Sequence, residues 1–308
     1  MRFALFRPWT ERSWVSAAAG PSAVYLVGGK GPDGTLLNDV LRVDTDRMRI
    51  RRVARLPAPL MGCASATVGD TLYVLGGYTG STTTDAILRV DTRGRLETAA
   101  RLPSPRAFGA TVAVGDRIYY LGGWDGSRVF DDIVEFDTAS GQVRTVGRLP
   151  APRQYAAAAF LQGRILLLGG EDDTGREVSE MVEIDPADMR VVRTTRVPGV
   201  PPQPRIAVVN GRVLSYDGFA ADPLSVVSLL DPTTLQSAPL LGDPLPLKDR
   251  NLAIAPGVDA AYLVGGVDPV NTGQVGFLRI KVPPEGVTPV GSPVVAEAIR
   301  LGSFLLLF

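Results

Sequence analysis

Apolar positions in this chain come in short runs of four to six residues, not in a helical stripe, and each run is closed by glycine, aspartate, threonine or proline. One run recurs with a fixed ending. VYLVGG closes on Gly28-Gly29, LYVLGG on Gly76-Gly77, IYYLGG on Gly122-Gly123, ILLLGG on Gly169-Gly170 and AYLVGG on Gly265-Gly266. A degenerate copy, RVLSYDG, places Asp217-Gly218 where the doublet belongs. Successive doublets are 48, 46, 47, 48 and 48 residues apart. A constant period of that size, built from short strands, predicts stacked four-stranded units arranged around an axis.

One period shows the parts. Ala107–Val114 reads as a first strand of small residues, and Gly115-Asp116 as a turn. Arg117–Leu121 is a second strand that ends on the doublet, and Ile133–Phe136 a third. Asp137-Thr138 opens a turn into Val143–Val146, the fourth. Small first-strand residues (Ala17–Ala19, Ala64-Ser65-Ala66, Ala156–Ala159) suit strands that crowd together at an axis. The aspartates Asp44, Asp91, Asp137, Asp185 and Asp231 cap turns through side-chain to backbone hydrogen bonds.

Glycine doublet, Asp turn and Pro-Arg segment recur in register from about Ser13 to Val282, and in this the chain resembles the Kelch-repeat family. The resemblance implies an all-β Kelch-type β-propeller of four-stranded antiparallel blades, a single domain over residues 1–308. It departs from the family in the fourth strand, where a frequent tryptophan is replaced by aliphatic or polar residues. Six doublet positions give six repeats. The tail offers a further first strand at Val294–Leu301 and a second strand in FLLLF, and MRFALF resembles a fourth strand. The expectation is therefore seven blades, the last closed by both termini. Six blades with a C-terminal appendage is the alternative.

Composition then limits the chemistry. The 32 basic and 32 acidic residues cancel, so the basic excess of a nucleic-acid binder or polybasic membrane anchor is missing. There is no histidine and a single cysteine, Cys63, which removes His-ligated metals, disulfides and the commonest general base. No cofactor and no metal is expected, and the Glu171-Asp172-Asp173 cluster lacks the alternating spacing of a calcium loop. With no export signal or apolar run of 18 residues, the chain reads as cytoplasmic with no membrane partner.

Function in a repeat scaffold sits in what varies between repeats. The loops leading into the first strands end in Arg12, Arg106, Arg153, Arg205 and Arg250, with Leu60 and Val294 at the other two positions. The loops after the doublets begin with Lys30, Tyr78, Trp124, Glu171 and Phe219. Both sets are expected on one face. Arginine forks suit carboxylate or phosphate, and Tyr78 and Trp124 offer flat faces for a sugar or side chain. The resemblance implies that arginines of this motif hold acidic peptides or small ligands, most directly Arg106 and Arg153. The competing expectation is structural: the arginines pair with Asp39, Asp85, Asp132 and Glu180 ahead of the third strands. The leading reading is a non-enzymatic binding or scaffold module for a protein partner, acidic peptide or small anionic ligand. A sialic-acid-type mutarotase or epimerase and a carbohydrate-binding protein are the alternatives.

Overall fold

A computed structural model describes residues 12–45, 49–197, 203–217, 227–231, 237–239, 250–257, 260–267, 276–281 and 296–298. The chain is an all-β propeller of four-stranded antiparallel blades. Among the described residues there are six such sheets, each with its strands in sequence order. The third blade shows the pattern. Ala110–Val114 pairs with Arg117–Leu121, which pairs with Asp132–Asp137, which pairs with Val143–Arg148. Fourth strands slip register by one residue at the same place in blades 1, 2 and 3, between Val40/Leu41, Ile87/Leu88 and Ile133/Val134. A bulge there adds local twist, which suits the outer edge of a blade.

The first strands, Ser16–Gly20, Ala64–Val68, Ala110–Val114, Ala157–Leu161, Pro204–Val209 and Arg250–Pro256, form the innermost ring. The core lies between blades. Tyr73, Leu75 and Ile87 of blade 2 pack on Ile118, Tyr120 and Phe136 of blade 3, all five per cent exposed or less. Side chains that alternate between two neighbouring blades leave no sheet face to solvent except the outermost strands.

Among the described residues the first and sixth sheets adjoin: Val15, Val24 and Leu26 of blade 1 pack directly on Ala253, Ala255 and Tyr262 of blade 6. Ala296–Ala298, expected within the first strand of a seventh blade, instead pairs with Gly276–Lys281 as the fourth strand of blade 6. The long connection after Lys281 delays that strand until it looks like the start of a new repeat. The other pieces assigned to a seventh blade, residues 1–11 and 299–308, lie outside the described residues. Among the described residues no helix is long and apolar enough to cross a membrane.

Candidate functional site

The two loop sets do meet on one face. Isolated antiparallel bridges join Ser13 to Lys30, Met61 to Tyr78, Ala107 to Trp124 and Gln154 to Glu171, so each loop entering a blade is stitched to the loop after its doublet.

The arginines of the entering loops are inside the blades. Arg12, Arg106 and Arg153 are at most 1% exposed. Arg12 Nη1 donates to Asp39 at 2.9 Å and to the Gly28 carbonyl at 3.2 Å. Arg106 makes a two-point contact with Asp132, at 2.5 and 3.2 Å, and its guanidinium lies 3.9 Å from the Phe130 ring centroid. Arg153 reaches Glu180 through Nη2 at 3.4 Å, and its Nε and Nη1 have no partner among the described residues. Burial lowers the Arg153 pKa, against the pull of the Glu180 charge. Blade 2 has Leu60 in place of arginine, and its Asp85 turns outward to the exposed Arg101 at 2.6 Å.

The backbones of Arg106 and Arg153 also lock the preceding blade. The Arg106 carbonyl accepts from Gly77 N–H at 2.9 Å, and the Arg153 carbonyl accepts from Gly123 N–H at 2.8 Å. The first glycine of the doublet, with positive φ, lies so close that a Cβ at Gly76 or Gly122 would stand 2.2 or 2.1 Å from those oxygens. The same lock forms where Leu60 replaces arginine, with Gly29 N–H on its carbonyl at 2.8 Å, so the recurrent glycine meets the backbone of that clamp position whatever its side chain. Arg12, Arg106 and Arg153, expected on an anion-binding rim, are buried within the blades, Arg12 and Arg106 in two-point contact with a carboxylate.

Arg205 differs. It pairs with Tyr216 inside the first strand of blade 5, the register held by Ala110 and Ala157 in blades 3 and 4. There it is half-buried and lines the axial cavity, with Nη1 on the Pro204 carbonyl at 3.1 Å. Arg250 opens the first strand of blade 6, and its side chain lies outside the described set.

Aromatic rings occupy the axis. Trp14, Phe108 and Tyr155, each two residues after a clamp arginine, come from blades 1, 3 and 4. Their centroids are 4.9 to 5.7 Å apart. Blades 1 and 4 are opposite in a six-membered ring, so the Trp14–Tyr155 contact spans the channel mouth. All three have positive φ (54°, 58° and 59°), an unfavourable conformation for bulky residues. It is held by backbone bonds running from blade to blade: Tyr155 N–H to Phe108 C=O, Phe108 N–H to Gly62 C=O, and Gly62 N–H to Trp14 C=O, at 2.8, 2.8 and 3.2 Å. Gly62 takes the aromatic position in blade 2, where a Cβ would stand 2.1 Å from the Phe108 ring. Trp124 extends the cluster outward, 6.2 Å from Phe108 and 6.1 Å from Tyr78, whose hydroxyl donates to the Gly80 carbonyl. All five rings are half-buried.

Beneath the rings lies a cavity of about 160 Å³ lined by Ser16, Ser65, Thr111, Cys63 and Arg205. It continues into one of about 380 Å³ toward the opposite face. Ser16 and Ser65 share a hydrogen bond at 2.7 Å. Burial pushes the Cys63 thiol up to about 12, so it stays protonated and unreactive. In the acidic loop, the Asp172 carboxylate accepts from Thr174 Oγ1 and N–H and from Arg176 N–H, as a turn cap does. Sequence reasoning named Tyr78 and Trp124 but missed Trp14, Phe108 and Tyr155. The signal was present as RSW, RAF and RQY, an aromatic at a fixed step after the arginine.

With this geometry the comparisons agree. The family described as the KLHDC2/KLHL20/DRC7 Kelch-repeats domain matches residues 14–216. The chain belongs to the Kelch-repeat family. A solved structure described as "Structure of YjhT" superposes on this Kelch chain with a TM-score of 0.70 at 14% identity, covering 91% of this chain and 98% of that one. At that identity the likeness shows the fold alone. No curated protein matches.

Proposed function

We propose that this Kelch propeller is a non-enzymatic binding module that receives a protein partner on the face carrying Tyr78, Trp124 and the rings over the axis. The observation that carries the reading is the aromatic cluster itself. Five half-buried rings linked in a chain of contacts, three of them (Trp14, Phe108 and Tyr155) held in strained backbone, form a rigid patch that loses little entropy on binding. Partly exposed aromatic surface of this kind marks interaction sites.

Arg205 supports a second reading, a small acidic ligand in the cavity beneath the rings. The mutarotase or epimerase alternative has less support. The described lining supplies hydroxyls, rings and one guanidinium, groups that orient a ligand more readily than they exchange protons at neutral pH. Carbohydrate binding would use the adjoining Tyr78 and Trp124 faces.

A thermal-shift panel of sialic and uronic acids, phosphorylated sugars and short peptides separates these readings. A ligand at about 100 times its Kd stabilises by roughly 2.7 kcal/mol. A shift lost in Tyr78→Ala/Trp124→Ala supports the aromatic face. A shift lost only in Arg205→Ala supports a small anion in the cavity. Accelerated anomeric exchange of sialic acid by NMR would favour the enzyme and sink the binding-module reading.

A further inference from the structure

With the clamp arginines buried, the sign of charge around the rings has to be read afresh. The hairpins after the doublets, bounded by the bridges at Lys30 and Leu36, Tyr78 and Thr83, Trp124 and Val129, and Glu171 and Glu177, surround the aromatic patch. They carry six carboxylates (Asp33, Asp125, Glu171, Asp172, Asp173 and Glu177) against three cations, Lys30, Arg128 and Arg176. The excess is entirely on blade 4, next to Tyr155. Glu171 is bridged through its backbone to Gln154, the residue before Tyr155, at 2.8 and 2.9 Å, and burial first and the Glu171 charge second raise the Tyr155 pKa. Gln203 Nε2 donates to Glu171 Oε1 at 3.1 Å and steadies it. Basic residues at the perimeter sit at the ends of the outermost strands, where Arg101 and Arg148 are paired with Asp85 and Asp131 and where Arg55 and Arg196 stand exposed at the matching ends. Among the described hairpins, the acidic excess lies on the blade 4 side of the aromatic patch.

We propose that the aromatic patch of blades 2 to 4 recognises a flexible basic segment of a partner protein, whose arginine or lysine side chains lie over Trp124 and Tyr155 with Glu171 as counter-ion. The inference rests on the binding-module reading above and fixes the sign of its partner. Aromatic faces attract cations through their quadrupole, and Trp and Tyr do so best. A neighbouring carboxylate adds charge complementarity and discriminates against acidic segments.

The test uses two dye-labelled disordered peptides, one alternating Arg and Gly and the other Glu and Gly. Each is titrated into the full chain by fluorescence anisotropy. The expected result is binding of the Arg-Gly peptide alone, weakening as salt is raised. Trp124→Ala and Glu171→Gln should each reduce its affinity by about fivefold, the equivalent of one aromatic–cation contact. Glu97→Gln, on an outermost strand paired with Arg89, should leave it unchanged. Circular dichroism melts establish that the variants fold, and the near-isosteric Glu171→Gln keeps the test decisive if Trp124→Ala does not. Preferential binding of the Glu-Gly peptide, lost in Trp124→Ala, would overturn the basic partner while keeping the aromatic face. Arg-Gly binding that Glu97→Gln reduces as much as Glu171→Gln would be diffuse attraction and would overturn the proposal. Binding of neither peptide would overturn it as well.

Discussion

Blades 3 and 4 bury the same arginine equally well and treat it differently. Arg106 is 0% exposed and Arg153 is 1% exposed. Arg106 has two contacts to Asp132, further bonds to the Ser104 and Gly122 carbonyls, and a ring stacked beneath it. Arg153 has one long contact to a glutamate that is itself 43% exposed, and two orphaned nitrogens. Phe130 and Val178 are matched across the two blades by the bonds their N–H groups donate to Gly123 and Gly170, so the aromatic floor is missing in blade 4. Burial sets the desolvation penalty, which is nearly equal in the two blades. Partner geometry sets what is recovered, and one extra methylene in Glu180 is enough to lose the two-point contact.

The largest expected effect breaks the better pair. Asp132→Ala strands a buried guanidinium and should lower unfolding free energy by about 3–5 kcal/mol in urea. Glu180→Ala removes a partly exposed partner of a pair already poorly made, and should cost about 1 kcal/mol or less. Equal losses at the two sites would show that burial alone governs the clamp and that partner geometry is secondary.

The sharpening experiment runs the other way. Glu180→Asp gives blade 4 the carboxylate of blades 1 and 3, and should raise stability by about 1 kcal/mol through the restored second contact. Arg153→Met removes the orphaned nitrogens and keeps the volume, so it should be neutral or slightly stabilising. Loss of more than about 2 kcal/mol in Arg153→Met would mean that its nitrogens find partners on folding, such as a bound water.

This pair also shows how far the sequence could be read. The period between doublets, the small first-strand residues and the turn aspartates are imposed by local backbone demands, so they named the blades and the fold. Asp39, Asp132 and Glu180 stood at matching positions, so the structural reading of the arginines was available beside the ligand reading. Choosing between them needed burial, which no local pattern encodes. Arg205 looked like its relatives by motif, but register moves it to the cavity wall. Trp14, Phe108 and Tyr155 converge only because six blades bring residues from opposite sides of the ring together. The sequence left six and seven blades both open, because after Lys281 spacing stops reporting order and Ala296–Ala298 pairs back onto Gly276–Lys281.

The smallest expected effect concerns pH, and it separates clamp geometry from protonation as the source of the difference between blades. The chain has no histidine, so no ordinary side chain changes charge between about pH 5 and 8. Both wild-type stability and the gap between Asp132→Ala and Glu180→Ala should therefore be level across that range. Turn carboxylates respond at lower pH. Backbone N–H bonds from Ser140 and Arg95 hold Asp137 and Asp91 below the ordinary carboxylate value. A depressed folded-state pKa gives stability that is present above the unfolded value, near 4, and lost as pH falls through the folded one. Urea midpoints should thus stay constant from pH 8 to about 5 and fall below about 4. Because each of these carboxylates caps a single surface turn, the Asp137→Asn variant should keep most of the fold and lose only part of that acid dependence. A gap between the two alanine variants that closed between pH 8 and 5 would point to a proton shared within one clamp, and the geometric account of blades 3 and 4 would fail.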